Sequence, residues 1–312
     1  MAKPCMLAPE AAARLLKSRV RALRNPIEAT RTQDPDGIHD ARVASRRLRA
    51  ALGEHEAVFA RSAFRPFYKD VRNITRLLGV ARELDVTLGL LESARRTLHG
   101  APRWALGYVV RRLRAMRADE TAHVIEGVDL ATSPNFDRAL MALFEGLRPQ
   151  SACYVKNAVV NLQGDYQSLY RIYGLWETVS SEDILHRIRI GFKKLRYTCE
   201  LYAPLYGEPM ELFLRDLKQA QEELGTWNDY RVLRNYVAAQ RADATPRAKE
   251  GMPALLALIE GDVRRHLDAF AASSQAFFSH QRAREILNLL GKPQMACCRT
   301  KMPDPEALDL LY

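Results

Sequence analysis

The sequence predicts an all-α protein built from two tandem copies of one helical unit. A basic pattern occurs twice, as IHDARVASRRLRA over Ile38–Ala50 and as LHRIRIGFKKLRY over Leu185–Tyr197. His39, Arg42, Arg46, Arg47, Leu48 and Arg49 align with His186, Arg189, Lys193, Lys194, Leu195 and Arg196 at one constant offset. Ala, Leu, Arg and Lys dominate both copies, and no proline interrupts either, which favours helix. No alternation of apolar and polar residues with period two recurs, so no strand signal competes.

Taken in order, Ala8–Leu23 reads as a helix with an apolar stripe of Leu15, Leu16, Val20 and Leu23, ended or kinked by Asn25-Pro26. Asp34-Pro35-Asp36-Gly37 reads as a turn that delivers the chain into the first basic helix, expected to run to about Phe59. Phe64–Leu78 comes next, with Arg65, Lys69, Arg72 and Arg76 on one face and Gly79 as its expected C-cap. Helix resumes over Ala101–Val124, carrying Arg111, Arg112, Arg114 and Arg117, and Pro134–Leu147 closes the first half. Pro149-Gln150-Ser151 is the expected boundary, giving halves over 1–150 and 151–291.

The order then repeats. Tyr154–Tyr173 is a helix, Ser180–Asp183 supplies a cap, and the second basic helix runs to about Tyr202 before Pro204 and Gly207. Glu211–Leu224, with Gly225 as its cap, matches Arg65–Gly79: Arg215 stands opposite Lys69, Asp216 opposite Asp70 and Lys218 opposite Arg72. Thr226–Asp229 mirrors Val80–Glu83. Pro253–Phe270, with Arg264 and Arg265, and Ser274–Leu290 complete the half, and residues 292–312, with three prolines, read as an extended tail. Two helical bundles related by a pseudo-twofold are the expected architecture.

Within each basic helix, positions 0, +3, +7 and +10 fall in an arc of about 80°. Leu48, Ala44 and Ala51 point the other way, as do Ile188, Phe192 and Leu195 in the second copy. A solvated face normally mixes acids with cations, because like charges at i,i+4 destabilise a helix. Here the cations stand almost unrelieved, twice. An anionic ligand explains that arrangement better than solvation does.

Composition agrees. The chain of 312 residues is 47% hydrophobic, carries a formal charge of +10 and has a pI near 9.5, with arginine supplying most of the excess. The guanidinium fork grips phosphate bidentately, so an arginine excess points to phosphorylated polyanions. Five cysteines without a CxxC pair suggest free thiols in a reducing compartment. No signal peptide and no apolar run of membrane-spanning length is evident, so a soluble, cytoplasmic protein is expected.

His39 and His186 open the basic helices and suit hydrogen bonds to phosphate oxygens. No second ligand stands at i+3 or i+4, so no metal and no cofactor is expected. Asp70, Asp216, Glu83 and Asp229 are duplicated acids suited to orienting arginines or capping helices. Lys69, Arg72, Arg76, Arg215 and Lys218 form a partly duplicated stripe and extend the candidate surface, while Arg111, Arg112, Arg114, Arg264 and Arg265 are rim candidates. No GxxxxGK, HExxH, GxSxG or ExExK pattern is present, and the basic faces lack the carboxylates that phosphoryl transfer uses to hold Mg²⁺. A binder, not an enzyme, is expected.

HDARVASRRLRA and HRIRIGFKKLRY resemble the two signature helices of the CHAD domain, the conserved histidine α-helical domain. LLGVARELDV and ELGTWNDYRV stand in the place of that family's LG-x-x-RD-x-x-V element. The resemblance spans roughly Ala8 to Gly291. It implies a duplicated helical fold that binds inorganic polyphosphate in a basic groove or pore, with some members at polyphosphate granules and some fused to a triphosphate-tunnel phosphatase. It assigns anion contacts to His39, Arg42, Arg46, Arg49, His186, Arg189, Lys193 and Arg196, with Arg47, Lys194 and Tyr197 as neighbours. Glu222 stands where Arg76 would repeat, so the halves should contribute unequally; Arg82-Glu83 replaces the family's Arg-Asp. The resulting expectation is polyphosphate binding, with phosphate or sulfate able to stand in, and with granule proteins as further partners. Nucleic acid is the weaker alternative, because only Phe192 and Tyr197 interleave with the cations. Another polyanion, an enzyme of phosphate chains or an accessory role in their metabolism, and a granule scaffold are the remaining alternatives.

Overall fold

In a computed structural model, which describes residues 7–148 and 153–294, every regular element is helical. α1 (Ala8–Arg24) buries Ala12, Leu16, Val20 and Leu23 on one face, and the short α2 (Ile27–Arg31) comes after the Asn25-Pro26 turn. The tetrapeptide expected as a free turn is instead the start of α3 (Pro35–Glu54). The Asp34 carboxylate accepts from the Gly37 amide at 2.9 Å as N-cap, and Pro35 supplies a pre-set φ. Only glycine fits at 37, because a Cβ there would lie 2.7 Å from the Ala29 backbone. α3 stops at Glu54, short of Phe59, where His55 and a 3-10 turn over Glu56–Val58 take over.

α4 (Arg61–Leu77) and α5 (Gly79–Ala94) are separated by Leu78 alone. Gly79, expected to cap α4, opens α5, because ARELDVTLGLL is itself helical and buries Ala81, Leu84, Thr87 and Leu91. The single helix expected over 101–124 is divided into α6 (Gly100–Asp119) and α7 (Thr121–Thr132), and α8 (Pro134–Glu145) begins at a Ser133 cap.

In the second half, α9 (Tyr154–Thr178) leads to α10 (Glu182–Tyr202), where the Ser181 hydroxyl accepts from the Ile184 amide. A 3-10 turn over Ala203–Leu205 and Gly207, at φ 64°, bring the chain into α11 (Glu208–Ala239). α12 (Pro246–Phe277) and α13 (His280–Gly291) complete the described chain. Gly225 is therefore interior to a helix of 32 residues and caps nothing. A glycine there costs only about 1 kcal/mol, and burial of Leu217, Leu224, Trp227, Leu233 and Val237 outweighs it. Pro253 likewise lies inside α12, between buried Met252 and Leu255, and the break expected before Ser274 is absent. The expected boundary at Pro149-Gln150-Ser151 lies outside the described residues, as does most of the 292–312 tail.

Two apolar cores form, and each draws on both halves of the chain. The larger joins α1, α3, α4 and α7–α10 to the first part of α11, the last part of α12 and α13. The smaller sets Leu84, Leu91, Val109 and Leu113 against Leu233, Val237, Met252 and Leu255. Here α12 crosses α6 so closely that a Cβ on Gly251 would lie 2.0 Å from the Ala101 carbonyl oxygen. Cys153 is disulfide-bonded, which corrects the expectation of a free thiol at that position, whereas Cys199 is a free, buried thiol. No helix among the described residues is long and apolar enough to cross a membrane.

Candidate functional site

The two basic helices, α3 and α10, pack against each other, and α5 and α11 flank them. Their apolar backs decide which side chains remain available. Ile38 and Leu48 on α3, and Ile188, Phe192 and Leu195 on α10, are fully buried. Their arginine fronts then line one chamber of about 720 Å³ together with residues of α5 and α11.

His39, Arg42, Arg46 and Arg47 reach this chamber from α3, and His186, Arg189, Lys193, Arg196 and Tyr197 reach it from α10. Arg82 of α5 and Arg231 of α11 join them, so eight Arg and Lys side chains face three carboxylates, Asp40, Glu83 and Asp229. The Nε atoms of Arg42, Arg189, Arg196 and Arg231 are buried without a hydrogen bond, as is Gln221 Oε1. Unpaired buried donors are uncommon in proteins. Four of them around one chamber describe a surface short of acceptors.

The electrostatics agree. Burial, and next the Arg46 charge, bring Arg42 down to about 10. Burial followed by Arg189, Arg46 and Arg42 brings Lys193 down to about 6, with Asp229 opposing. Arg189 is lowered by burial, although Asp229 Oδ1 stands 3.8 Å from its Nη2. Both histidines fall below their ordinary value, His39 through burial and Arg82, and His186 through burial and Arg189. They stay neutral donors or acceptors at neutral pH. Each shift expresses the same thing: positive charge crowded where water is partly excluded.

The carboxylates hold neighbours in place. Glu83 Oε1 accepts from Tyr236 OH at 3.1 Å, and Arg231 lies 3.5 Å from Glu182 Oε2 while also donating to the Asn228 amide oxygen at 3.3 Å. Glu200 takes Arg47 bidentately, at 2.7 and 3.1 Å, which raises the pKa of Arg47.

Several sequence candidates stand elsewhere. Lys194 turns away from the chamber into a separate recess, ion-paired with Asp165; burial opposes its charge, but Asp165 keeps its pKa raised. Burial and then Asp165 bring Glu54, in the same recess, up to about 7. Arg49 is half-buried outside the chamber lining. Lys69, Arg72 and Arg76 on α4 and Arg215 and Lys218 on α11 are exposed surface residues; Lys218 lies 3.6 Å from Glu222. Asp216 pairs with Arg282. Sequence reasoning did not place Arg82 and Arg231 in the site. Arg82 sits inside a duplicated element, which was a usable signal, but Arg231 stands where the first half has Asp85, so no repeat marks it.

A family model described as CHAD domain matches residues 14–238. Two solved structures share the fold. The crystal structure of the CHAD domain from the plant Ricinus communis aligns with a TM-score of 0.65 at 21% identity, covering 94% of this chain and 95% of that one. PptA from Streptomyces chartreusis aligns with a TM-score of 0.68 at 14% identity, covering 86% of this chain and 99% of that one. No curated protein matches the chain.

Proposed function

The chain belongs to the CHAD domain family, and from that premise we propose that it binds inorganic polyphosphate, without chemistry, in the chamber between α3, α5, α10 and α11. The observation that carries this reading is the convergence of both basic helices on one chamber in which the Nε–H groups of four arginines lack acceptors. A phosphate chain supplies what is missing: closely spaced anionic oxygens suited to arginine forks. An isolated exposed ion pair contributes only about 0–1 kcal/mol. A preorganised cluster differs, because an entering polyanion also relieves the mutual repulsion that adds to burial in depressing Arg42 and Lys193. Binding would release counterions and weaken steeply with salt. Tyr197 is the one aromatic in the chamber lining among the described residues, which favours phosphate over stacked bases. Residence at polyphosphate granules would result from this affinity.

The test is a titration of long-chain polyphosphate over a salt series, with single-stranded DNA and heparin as controls. A variant with Arg42, Arg46, Arg189 and Lys193 changed to Ala, its helicity checked by circular dichroism, is run alongside. The expected outcome is salt-sensitive binding that prefers polyphosphate and is lost in the folded variant. Equal affinity for all three polyanions, or an unaffected variant, would reduce the chamber to generic charge. A parallel incubation with Mg²⁺ and polyphosphate should release no phosphate.

A further inference from the structure

The chamber is not closed at Arg47. Asp40, Val43 and Arg47 line both the chamber and a second recess of about 390 Å³ between α1 and α3, which also includes Arg19 and Asn25. Arg19 in turn lines a third recess of about 250 Å³ with Arg14, Tyr154 and Glu200. Shared side chains therefore place the three spaces next to one another, the first two at Arg47 and the last two at Arg19.

One half-buried carboxylate stands at the junction. Glu200 accepts from Arg47 Nε at 2.7 Å and from Arg47 Nη2 at 3.1 Å, and its Oε1 lies 3.5 Å from Arg196 Nε without forming a hydrogen bond. Arg19 is half-buried and makes no hydrogen bond or ion pair of its own among the described residues. Burial and the neighbouring Arg47 charge lower its pKa, and Glu200 only partly offsets them. Arg47 and Arg196 thus share one carboxylate, Arg19 feels only its charge without a direct contact, and the exposed Asp40 stands on the rim. The two-pronged grip of Arg47 on Glu200 is the geometry arginine also uses for phosphate.

Building on the polyphosphate reading of the chamber, we infer that the phosphate track continues past Arg47 to Arg19. Glu200 is an intramolecular stand-in for a phosphate group, displaced by a long phosphate chain and left in place by a short one. A short chain is satisfied by Arg42, Arg46, Arg189 and Lys193 and leaves the Arg47–Glu200 pair intact. A longer chain carries oxygens onward to Arg47, frees Glu200, and gives Arg19 its first anionic partner. Arg19 and Glu200 together make the site selective for chain length.

The experiment is a calorimetric titration of the full chain with tripolyphosphate and with long-chain polyphosphate, for wild type, Arg19→Gln, Arg19→Lys and Glu200→Gln, with melting curves as the folding check. Arg19→Gln should leave tripolyphosphate affinity unchanged and weaken long-chain affinity about tenfold, the weight of one charge-assisted contact. Its long-chain salt slope should fall by about 0.7, as for one phosphate contact on a flexible strand. Arg19→Lys should restore part of the loss, and Glu200→Gln should tighten long-chain binding more than tripolyphosphate binding. Long-chain binding and salt slope unchanged in Arg19→Gln would end the track at Arg47 and overturn the inference, while the chamber reading stood. Equal losses for both lengths would also overturn it, making Arg19 a structural residue. Wild type that bound neither ligand would refute the chamber reading itself. Arg19 is only half-buried, so its variants read the proposal even if Glu200→Gln fails to fold.

Discussion

Lys193 registers the crowding of like charges in a partly closed space. Burial first, then Arg189, Arg46 and Arg42, bring its ammonium from 10.5 to about 6. Between these values the unfolded chain holds a proton that the folded chain has released. The stability of the unliganded protein therefore rises with pH across that window, and the penalty is complete below about 6. Lys193→Gln should flatten this slope in thermal melts recorded over the same range. A bound polyanion reverses the balance by favouring the charged ammonium, so polyphosphate binding near neutral pH should take up protons in wild type and fewer in the variant, where only His39 and His186 remain to gain them. Calorimetry in buffers of different ionisation enthalpy reads this directly, and buffer-independent heats in the wild type would contradict it.

At the scale of elements, each basic helix works because its two faces have separate tasks. The buried face of α10, with Ile188, Phe192 and Leu195, fixes the helix rotation, and the rotation aims Arg189, Lys193 and Arg196 at the chamber. It also turns Lys194, the next residue after Lys193, toward Asp165. α6 and α12 depend on a different device, the close backbone approach at Gly251. Gly251→Ala should force that crossing apart and destabilise the protein by about 1–3 kcal/mol, measured as a lower urea midpoint. An unchanged midpoint would mean that the backbone near Ala101 yields without strain. The helices themselves were largely legible as sequence, but their ends were not. Gly79 and Gly225 look like helix ends and Pro253 like a helix start, yet helix continues or resumes around each because the buried stripe carries on.

For the whole molecule, the two cores tie the halves together. Leu84 and Val109 from the first half pack in the same cluster as Leu233 and Met252 from the second, and the larger cluster also includes both halves. Fragments over 1–150 and 151–312 should therefore show weak helicity and no cooperative melting when expressed singly, and recover both when mixed. Two independently cooperative fragments would show that the shared cores are dispensable. The chamber depends on the same joining, since α3 and α5 supply one wall and α10 and α11 the other.

The sequence by itself determined the helical class and the repetition of a basic helix with its cations on one face. Those properties are local: period, propensity and charge along one face belong to a single segment. It also singled out nine of the residues that line the chamber, His39, Arg42, Arg46, Arg47, His186, Arg189, Lys193, Arg196 and Tyr197. Only the tertiary structure decided that both fronts meet in one space, that Arg82 and Arg231 join them, and that Lys69, Arg72, Arg76, Arg215 and Lys218 remain on exposed faces. It alone set Glu200 against Arg47 and left Arg19 without a partner among the described residues in the adjoining recess. The physical reason is that a one-dimensional pattern records which face of a helix is charged. What that face meets depends on how the apolar backs pack, which couples residues more than a hundred positions apart, such as Arg47 and Glu200.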